Sequence, residues 1–440
     1  MQRETHTTSV TVGGKDIQLE TGYLAQQANG SVLLRCGETV IFCSACGTKE
    51  ADANIDFFPL RVDYQENFSS VGKTSSGYIK RQGRPTERET LMSRLIDRPL
   101  RPLFPDGYYN EVQVLCYVWS FDGVHMPDPL AICAASAALV ISDIPLVKPI
   151  GAVRVGMIDG QFVINPSQEQ MEQSKLDLLL AGTQDAVLMI EGYCDFLTEE
   201  QVLEAIETGH QEIQKICQTL ANWQQQVGKE KRITLRTIPE ELTQAVKEIS
   251  ETPLVEALKI NDKLQREEAL AAIKEEVFTK LLPEGEESPY AAVDVAGAFK
   301  KISAHHMRQM ILKEKKRSDG RQTTDVRPID IRQSLLPRAH GSSVFTRGET
   351  QTMAICTLGG ESMAQRYENV LSEGAHRFYL QYFFPPFSVG EVGRMGSAGR
   401  REIGHGKLAE RALAAIIPDK TKFPYTIRIE SNITESNGSS

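Results

Sequence analysis

The sequence predicts an α/β (α+β) protein in which one unit occurs twice, with an all-helical segment between the two occurrences. Three observations carry this. The stretch "SVLLRCGETVIFCSA" (residues 31–45) returns as "SSVFTRGETQTMAICT" (residues 342–357), and "GRPTERETLMSRLIDR" from Gly83 returns as "GRREIGHGKLAER" from Gly399. Between them, residues 240–316 are rich in Ala, Glu, Lys and Leu, with a Pro283-Glu-Gly break. A long-period repeat of this kind reads as duplicated structure, and such a composition as helices. With 440 residues, 41% hydrophobic and 24% charged, the chain has the composition of a globular protein with room for roughly three domains.

Taken in order, the N-terminus lacks a basic-then-apolar export signal. Residues 31–45 and 342–357 each place two β-branched apolar runs around Gly-Glu-Thr, which predicts a hairpin. Cys43 and Cys46 lie inside the first of these; without a second pair, buried free thiols are the better reading than a metal or redox site. Reduced thiols and the missing signal predict a cytoplasmic protein. Val71-Gly72-Lys73-Thr74 imitates the tail of a P-loop, but position 67 is Asn where the loop needs its first Gly, and a polar run precedes it. The repeat disposes of the motif, because Glu391 replaces Lys73 in the second copy.

Net charge is −9, yet Lys73, Lys80, Arg81, Arg84, Arg88, Arg94, Arg98 and Arg101 crowd into one stretch against Glu87, Glu89 and Asp97. Composition alone leaves an anion site and a solvated, ion-paired helix face equally open. Glu89, Arg94, Leu95, Asp97 and Arg98 recur at identical spacing as Glu402, Lys407, Leu408, Glu410 and Arg411. Residues four apart share a helical face, so each copy is expected to offer a loop-to-helix junction of cations suited to phosphate. Phe-Pro follows in both copies, then strand-like runs at 111–119 and 425–433.

The apolar run 130–141 has about 12 residues, too few to span a bilayer, and predicts a buried helix. Residues 153–191 read as strands and 199–225 as an amphipathic helix. His305 and His306 point to different helix faces, which argues against a metal pair. The final "ESNITESNGSS" is a strand running into a serine-rich turn, a plausible anion site beside Arg400, Arg401 and His405. The first copy has no serine pair at that place, reading "SFDGVHMPDPLAI" from Ser120. One copy is expected to carry chemistry and the other to support it. The second copy stops at Ser440 before the later third visible in the first, so the sequence is expected to be truncated there.

Leu60-Arg61-Val62-Asp63-Tyr64-Gln65-Glu66, "SRLIDRPLRPLFPDG", "SKLDLLLAGT", "GRREIGHGKLAER" and "ITESNGSS" together resemble the bacterial polyribonucleotide nucleotidyltransferase (polynucleotide phosphorylase) family over essentially the whole chain. The resemblance implies two ribonuclease PH-like domains, the second incomplete, joined by a helical domain. The divisions implied are 1–145 and 146–238 for the first unit, 239–318 for the helical domain and 319–440 for the second unit. It implies a ring-shaped homotrimer that degrades single-stranded RNA processively from its 3′ end in mRNA decay. Inorganic phosphate, the co-substrate, would attack the terminal phosphodiester and release nucleoside diphosphates, and the reaction would also run in reverse. Other RNA-degradation proteins are expected partners, and a membrane is not. Family members continue into KH and OB-fold RNA-binding domains, which this sequence does not include.

Carried over by position, Ser439 and Ser440 would bind phosphate with Arg400 and Arg401, and His405 would complete the catalytic group with those two arginines. Tyr78, Lys80, Arg81, Arg84, Arg94 and Arg98 would contact RNA, with Ile79 departing from an aromatic pair. The Mg²⁺ ligands and a catalytic lysine would fall beyond Ser440; at the matching place in the first copy no lysine follows Asp177. A catalytically silent RNA-binding and ring-assembly module is the competing reading. A hydrolytic nuclease is disfavoured because water needs no serine–arginine pocket.

Overall fold

The computed structural model describes residues 4–75, 80–81, 83–283 and 288–437. Its first unit opens with β1 (His6–Val12), β2 (Lys15–Thr21), β3 (Gly30–Cys36), β4 (Thr39–Gly47) and β5 (Leu60–Glu66). Then come α1 (Glu87–Leu100), β6 (Val112–Ser120) and α2 (Pro127–Ile141). The strands form one sheet in the order β1-β2-β3-β4-β6-β5, antiparallel except for the β5–β6 pair, which α1 connects. The Gly-Glu-Thr hairpin closes with Gly37 at φ 57°, a backbone region that side chains disfavour. Alternation sets the faces: Val112, Val114, Cys116 and Val118 of β6 are buried between more exposed neighbours.

Every residue of α2 is buried, as its continuous apolar character predicts, because the helix lies between the first sheet and a second one. That second sheet contains β7 (Gly151–Ile158), β8 (Gln161–Ile164), β9 (Leu176–Gly182) and β10 (Val187–Cys194), in the order β10-β9-β7-β8, with a short α3 (Gln168–Glu172) between β8 and β9. The amphipathic α4 (Glu199–Val227) then packs Ile213, Ile216, Leu220 and Trp223 onto β7 and β9. Both sheets share one hydrophobic core, so the stretches 1–145 and 146–238 are energetically one body. Each fully buried Leu or Ile in it contributes about 1.5–3 kcal/mol.

The helical segment is α5 (Glu240–Ala257), α6 (Lys263–Leu281) and α7 (Ala292–Glu314), and it has its own core around Leu242, Val246, Val277 and Val295. The second unit follows with β11 (Ile329–Gln333), β12 (Gly341–Arg347), β13 (Thr350–Gly359) and the small hairpin β14 (Gln365–Glu368) and β15 (Glu373–His376). It ends with β16 (Phe378–Phe383), α8 (Arg400–Ala414) and β17 (Thr426–Glu435). Its main sheet runs β11-β12-β13-β17-β16, again with one parallel pair, β16–β17, connected by a helix. This is the order β2-β3-β4-β6-β5 repeated, and Gly348 closes the matching hairpin at φ 61°. The duplication read from the sequence is therefore a duplication of topology. Among the described residues no counterpart of α2 covers the second sheet, and β12 and β13 are only half-buried.

Two expectations need correction. Cys43 is fully buried, its sulfur 3.1 Å from that of Cys116 on the paired strand, but Cys46 is exposed because three steps along a strand reach the opposite face. Arg98, Lys407 and Arg411 do not stand free toward phosphate; each meets a carboxylate, Arg98 and Arg411 at Glu191 and Lys407 at Glu87 and Glu410.

Candidate functional site

The two repeated helices, α1 and α8, start in the same way. Thr86 caps α1, its backbone N–H donating to Glu89 Oε2 at 2.6 Å, while Glu89 Oε1 accepts the N–H of Glu66 at the end of β5 (2.9 Å). In the second copy the N–H of Gly399 donates to Glu402 Oε2 (2.7 Å), and Glu402 Oε1 accepts the N–H of Phe384 just past β16 (2.9 Å). A carboxylate in the first helical turn satisfies donors that the helix cannot and complements its dipole. Here it also fastens each helix to its own strand.

The helices then pack against one another, and each extends a charge into the other copy. Arg400 donates to the Asp63 carboxylate and the Val62 carbonyl of β5. Its positional counterpart, Glu87, lies 3.4 Å from Lys407 of α8. Arg98 (3.1 Å) and its counterpart Arg411 both donate to Glu191 of β10, and Arg98 also reaches the Ile190 carbonyl at 2.8 Å. Four of the cations expected to face phosphate or RNA thus hold the copies in register. Arg400 also borders a cavity of about 330 Å³ with Asp63, Gln65, Tyr117 and the exposed Arg84.

Arg94 behaves differently. Its guanidinium lies across α8 at Gly404, where an added Cβ would meet Arg94 Nε at 2.5 Å. Only glycine admits that approach. Arg94 thereby joins Arg401 and His405, neighbours on the same turn of α8. Burial, and then Arg98 and Arg401 nearby, lower the Arg94 pKa. Burial, followed by Arg401 and Arg94, lowers that of His405. Arg401 stacks over Phe384 at 5.9 Å, and the His405 ring meets Tyr382 edge-on at 5.3 Å. Among the described residues no carboxylate pairs with Arg401. A cluster of cationic groups this close, with burial already costing charge, is an environment that an anion would relieve.

At the same end of the sheet the stem of the serine turn is held from outside. The N–H of Ser436 donates to Ser388 O (2.9 Å), and Asn437 Nδ2 donates to Glu349 Oε2 of the β12–β13 hairpin (2.7 Å). Ser439 and Ser440 lie outside the described residues, as does Tyr78.

The first copy supplies a comparison within the molecule. The N–H of Phe121 donates to Ser70 O at 3.0 Å, the counterpart of the Ser436–Ser388 bond, so Asp122 matches Asn437, and Val124 and His125 match Ser439 and Ser440. Here the turn is filled by its own carboxylate. Asp122 accepts the N–H groups of Val124 (2.9 Å), His125 (2.8 Å) and Glu38 (3.0 Å), the Thr39 hydroxyl (3.0 Å) and His125 Nδ1 (2.6 Å). Burial alone would raise its pKa, but the hydrogen bonds from His125, Val124 and Thr39 hold it far below the ordinary carboxylate value.

Arg88, the counterpart of Arg401, is likewise satisfied internally. It donates to Glu66 (2.8 Å) and Asp128, and Asp128 also accepts from Arg154 (2.6 Å), which pairs in turn with Asp177. Burial opposes ionisation of Asp128, yet Arg88 and Arg154 hold its pKa below normal. This network escaped the sequence reading, which saw Arg88 only as one of eight clustered cations. Its partners come from four separate elements, Glu66 on β5, Asp128 on α2, Arg154 on β7 and Asp177 on β9, which no local pattern joins.

The comparisons with known proteins agree with the duplication. The 3′ exoribonuclease family, domain 1, matches residues 13–145 and again 325–440, and domain 2 of that family matches 148–212. The polyribonucleotide nucleotidyltransferase RNA binding domain matches 241–322. The polyribonucleotide nucleotidyltransferase of Protochlamydia amoebophila is 66% identical over 100% of this chain, which spans 63% of that protein. That of Chlamydia pneumoniae is 58% identical over 97% of this chain and 61% of its own length. The chain thus spans somewhat less than two thirds of these curated relatives. Among solved structures, rice (Oryza sativa) Rrp46 aligns with a TM-score of 0.39 and 18% identity over 51% of this chain and 95% of its own, too weak a likeness to bear on the fold. With domain 1 matched twice, over more than half of its length, the chain belongs to the 3′ exoribonuclease family.

Proposed function

We propose that this chain is the phosphorolytic core of a 3′→5′ exoribonuclease acting on single-stranded RNA. In this reading inorganic phosphate bound at the second copy attacks the 3′-terminal phosphodiester, nucleoside diphosphates leave, and the reverse reaction adds nucleotides from diphosphates. The observation that carries the reading is the contrast between Arg401 and Arg88. At one place in the repeated unit a guanidinium is neutralised by two buried carboxylates, and at the other it stands with Arg94 and His405 and no carboxylate among the described residues. Preorganised cations of this kind stabilise charge that grows on phosphoryl oxygens, and removing one such contact costs roughly 10²–10³ in rate.

Arg401, Ser439 and Ser440 bind the attacking phosphate in this reading, and Arg94 bridges from the first copy toward the terminal nucleotide. His405, its pKa lowered, is neutral near pH 7 and can exchange a proton beside the reacting group. Arg400 and Arg98, engaged by Asp63 and Glu191, act by holding the copies together. Tyr78, Lys80, Arg81 and Arg84 follow the RNA backbone. Mg²⁺ would supply the countercharge two phosphates need on approach; among the described residues no group of three or more His, Cys, Asp or Glu could hold a metal, so none is assigned to it. A cytoplasmic homotrimer that works in mRNA decay with other RNA-degrading proteins, divided at 145, 238 and 318, completes the proposal. No helix among the described residues is long and apolar enough to cross a membrane.

The test is product analysis on the full-length protein with a 3′-labelled oligoadenylate. Nucleoside diphosphate is expected, and only when phosphate and Mg²⁺ are both present. Monophosphate released without phosphate would replace this reading with hydrolysis, and RNA binding without any turnover would favour the silent module.

A further inference from the structure

The first residue of α6, Lys263, sits where a helix disfavours it. Its start is fixed by Asp262, whose side chain accepts the Gln265 N–H at 3.0 Å, and a cation in the first turn opposes the helix dipole. The nearest acid, Glu267, is 3.9 Å away, long for an ion pair. Instead Lys263 Nζ crosses to the second copy and donates to the carbonyl of Ser436 at 3.1 Å. Ser436 is 4% exposed, and its own hydroxyl has no hydrogen-bond partner among the described residues.

We infer that Lys263 is a positioning residue that fixes Ser436, where the second copy's strand leads into the serine turn, from the helical domain. The first copy shows why a strut is needed there. Its turn is held from within by Asp122, and among the described residues no side-chain cation meets the carbonyl of Phe121, the counterpart of Ser436. In the second copy Asn437 replaces that carboxylate and donates to Glu349, so Ser436 and Asn437, the stem of the turn, are held by contacts from outside it. Ser388 and Glu349 belong to the same unit; Lys263 comes from another domain. Its own base is firm, because Arg266 donates to the carbonyls of Ile260 (2.7 Å), Asn261 (3.1 Å) and Ser318 (3.2 Å) and ties the start of α6 to the chain that follows α7. Holding the turn fixed while substrate is absent is the preorganisation that anion binding requires.

This inference rests on the reading of the serine turn as a phosphate site. The test compares full-length wild type with Lys263→Met and Lys263→Arg, titrating phosphate at saturating oligoadenylate and the RNA at saturating phosphate. Loss of one charge-assisted hydrogen bond predicts a phosphate KM about tenfold higher in Lys263→Met, an RNA KM within about twofold of wild type, and recovery to within about threefold in Lys263→Arg. An unchanged phosphate KM in Lys263→Met, or equal rises in both KM values, overturns the inference. Amide hydrogen exchange over residues 431–437 gives a second readout independent of turnover. It should quicken in Lys263→Met, and unchanged protection would overturn the strut. Phosphate-independent turnover by the wild type would instead bring down the functional reading, leaving the exchange measurement to decide on Lys263.

Discussion

Replacing Arg88 by Ala and, separately, Arg401 by Ala removes the same side chain from equivalent places in the two copies, and the structure predicts opposite outcomes. Without Arg88, Glu66 and Asp128, whose side chains are 3% and 2% exposed, lose a shared cation. Breaking a buried ion pair costs about 3–5 kcal/mol, and because Arg154 still serves Asp128 the lower end applies, about 3 kcal/mol. For a unit of this size that is roughly 6–12 °C in apparent Tm. Without Arg401, no carboxylate is stranded and the repulsion with Arg94 falls, so stability should stay within about 0.5 kcal/mol. Turnover should drop by roughly 10²–10³. The His405 pKa should also move up, because one of its two cationic neighbours is gone while burial, the larger cause, remains. Thermal unfolding, phosphate-dependent release of diphosphate and the titration of His405 by NMR read these three effects. The reasoning is refuted if Arg401→Ala destabilises as strongly as Arg88→Ala, for then Arg401 is a structural residue with a partner of its own.

Local pattern made much of the fold legible. The two Gly-Glu-Thr hairpins, the apolar run that became α2 and the long amphipathic α4 announce themselves through period and turn chemistry, and the repeat then copies one half's topology onto the other. What pattern could not carry is the way side chains are shared between distant segments. Arg94 and Arg98 lie on one helical face, yet Arg94 crosses Gly404 to reach Arg401 while Arg98 turns to Glu191, more than ninety residues away. Arg400 and Arg401 are adjacent, yet helical geometry aims one at Asp63 and the other over Phe384. Arg94 belongs to the first copy's helix and to the second copy's cluster, so that cluster is built from both copies. The sequence signal for all this was the mismatch between copies: Met92 and Leu91 against His405 and Gly404, Asp122 against Asn437.

Two further outcomes follow from the same contrasts. Lys80→Ala with Arg81→Ala should weaken binding of single-stranded RNA and flatten its salt dependence by a slope of roughly 0.7 per lost contact, with the phosphate KM unmoved; an unchanged slope in a salt titration would remove both residues from the RNA path. Asp122→Asn should cost the first unit stability in a pH-dependent way. The folded-state pKa of Asp122 is depressed, so its contribution is present above the ordinary aspartate value of about 3.9 and is lost as the pH falls toward the folded one. Asp128 is depressed as well, but it titrates alike in both proteins and cancels in the difference. Charged and titratable neighbours of Asp122 include His125, Lys15 and Cys36, of which only His125 touches it. Measurements between pH 3 and pH 5.5 bracket the ordinary aspartate value, where the contribution of the carboxylate begins to fade. Urea unfolding of wild type and Asp122→Asn should then give curves whose gap is widest at the upper end and starts to narrow below about pH 3.9. A gap that stays constant with pH would mean that the turn is held by its shape alone, and that the carboxylate does not act as the anion filling it.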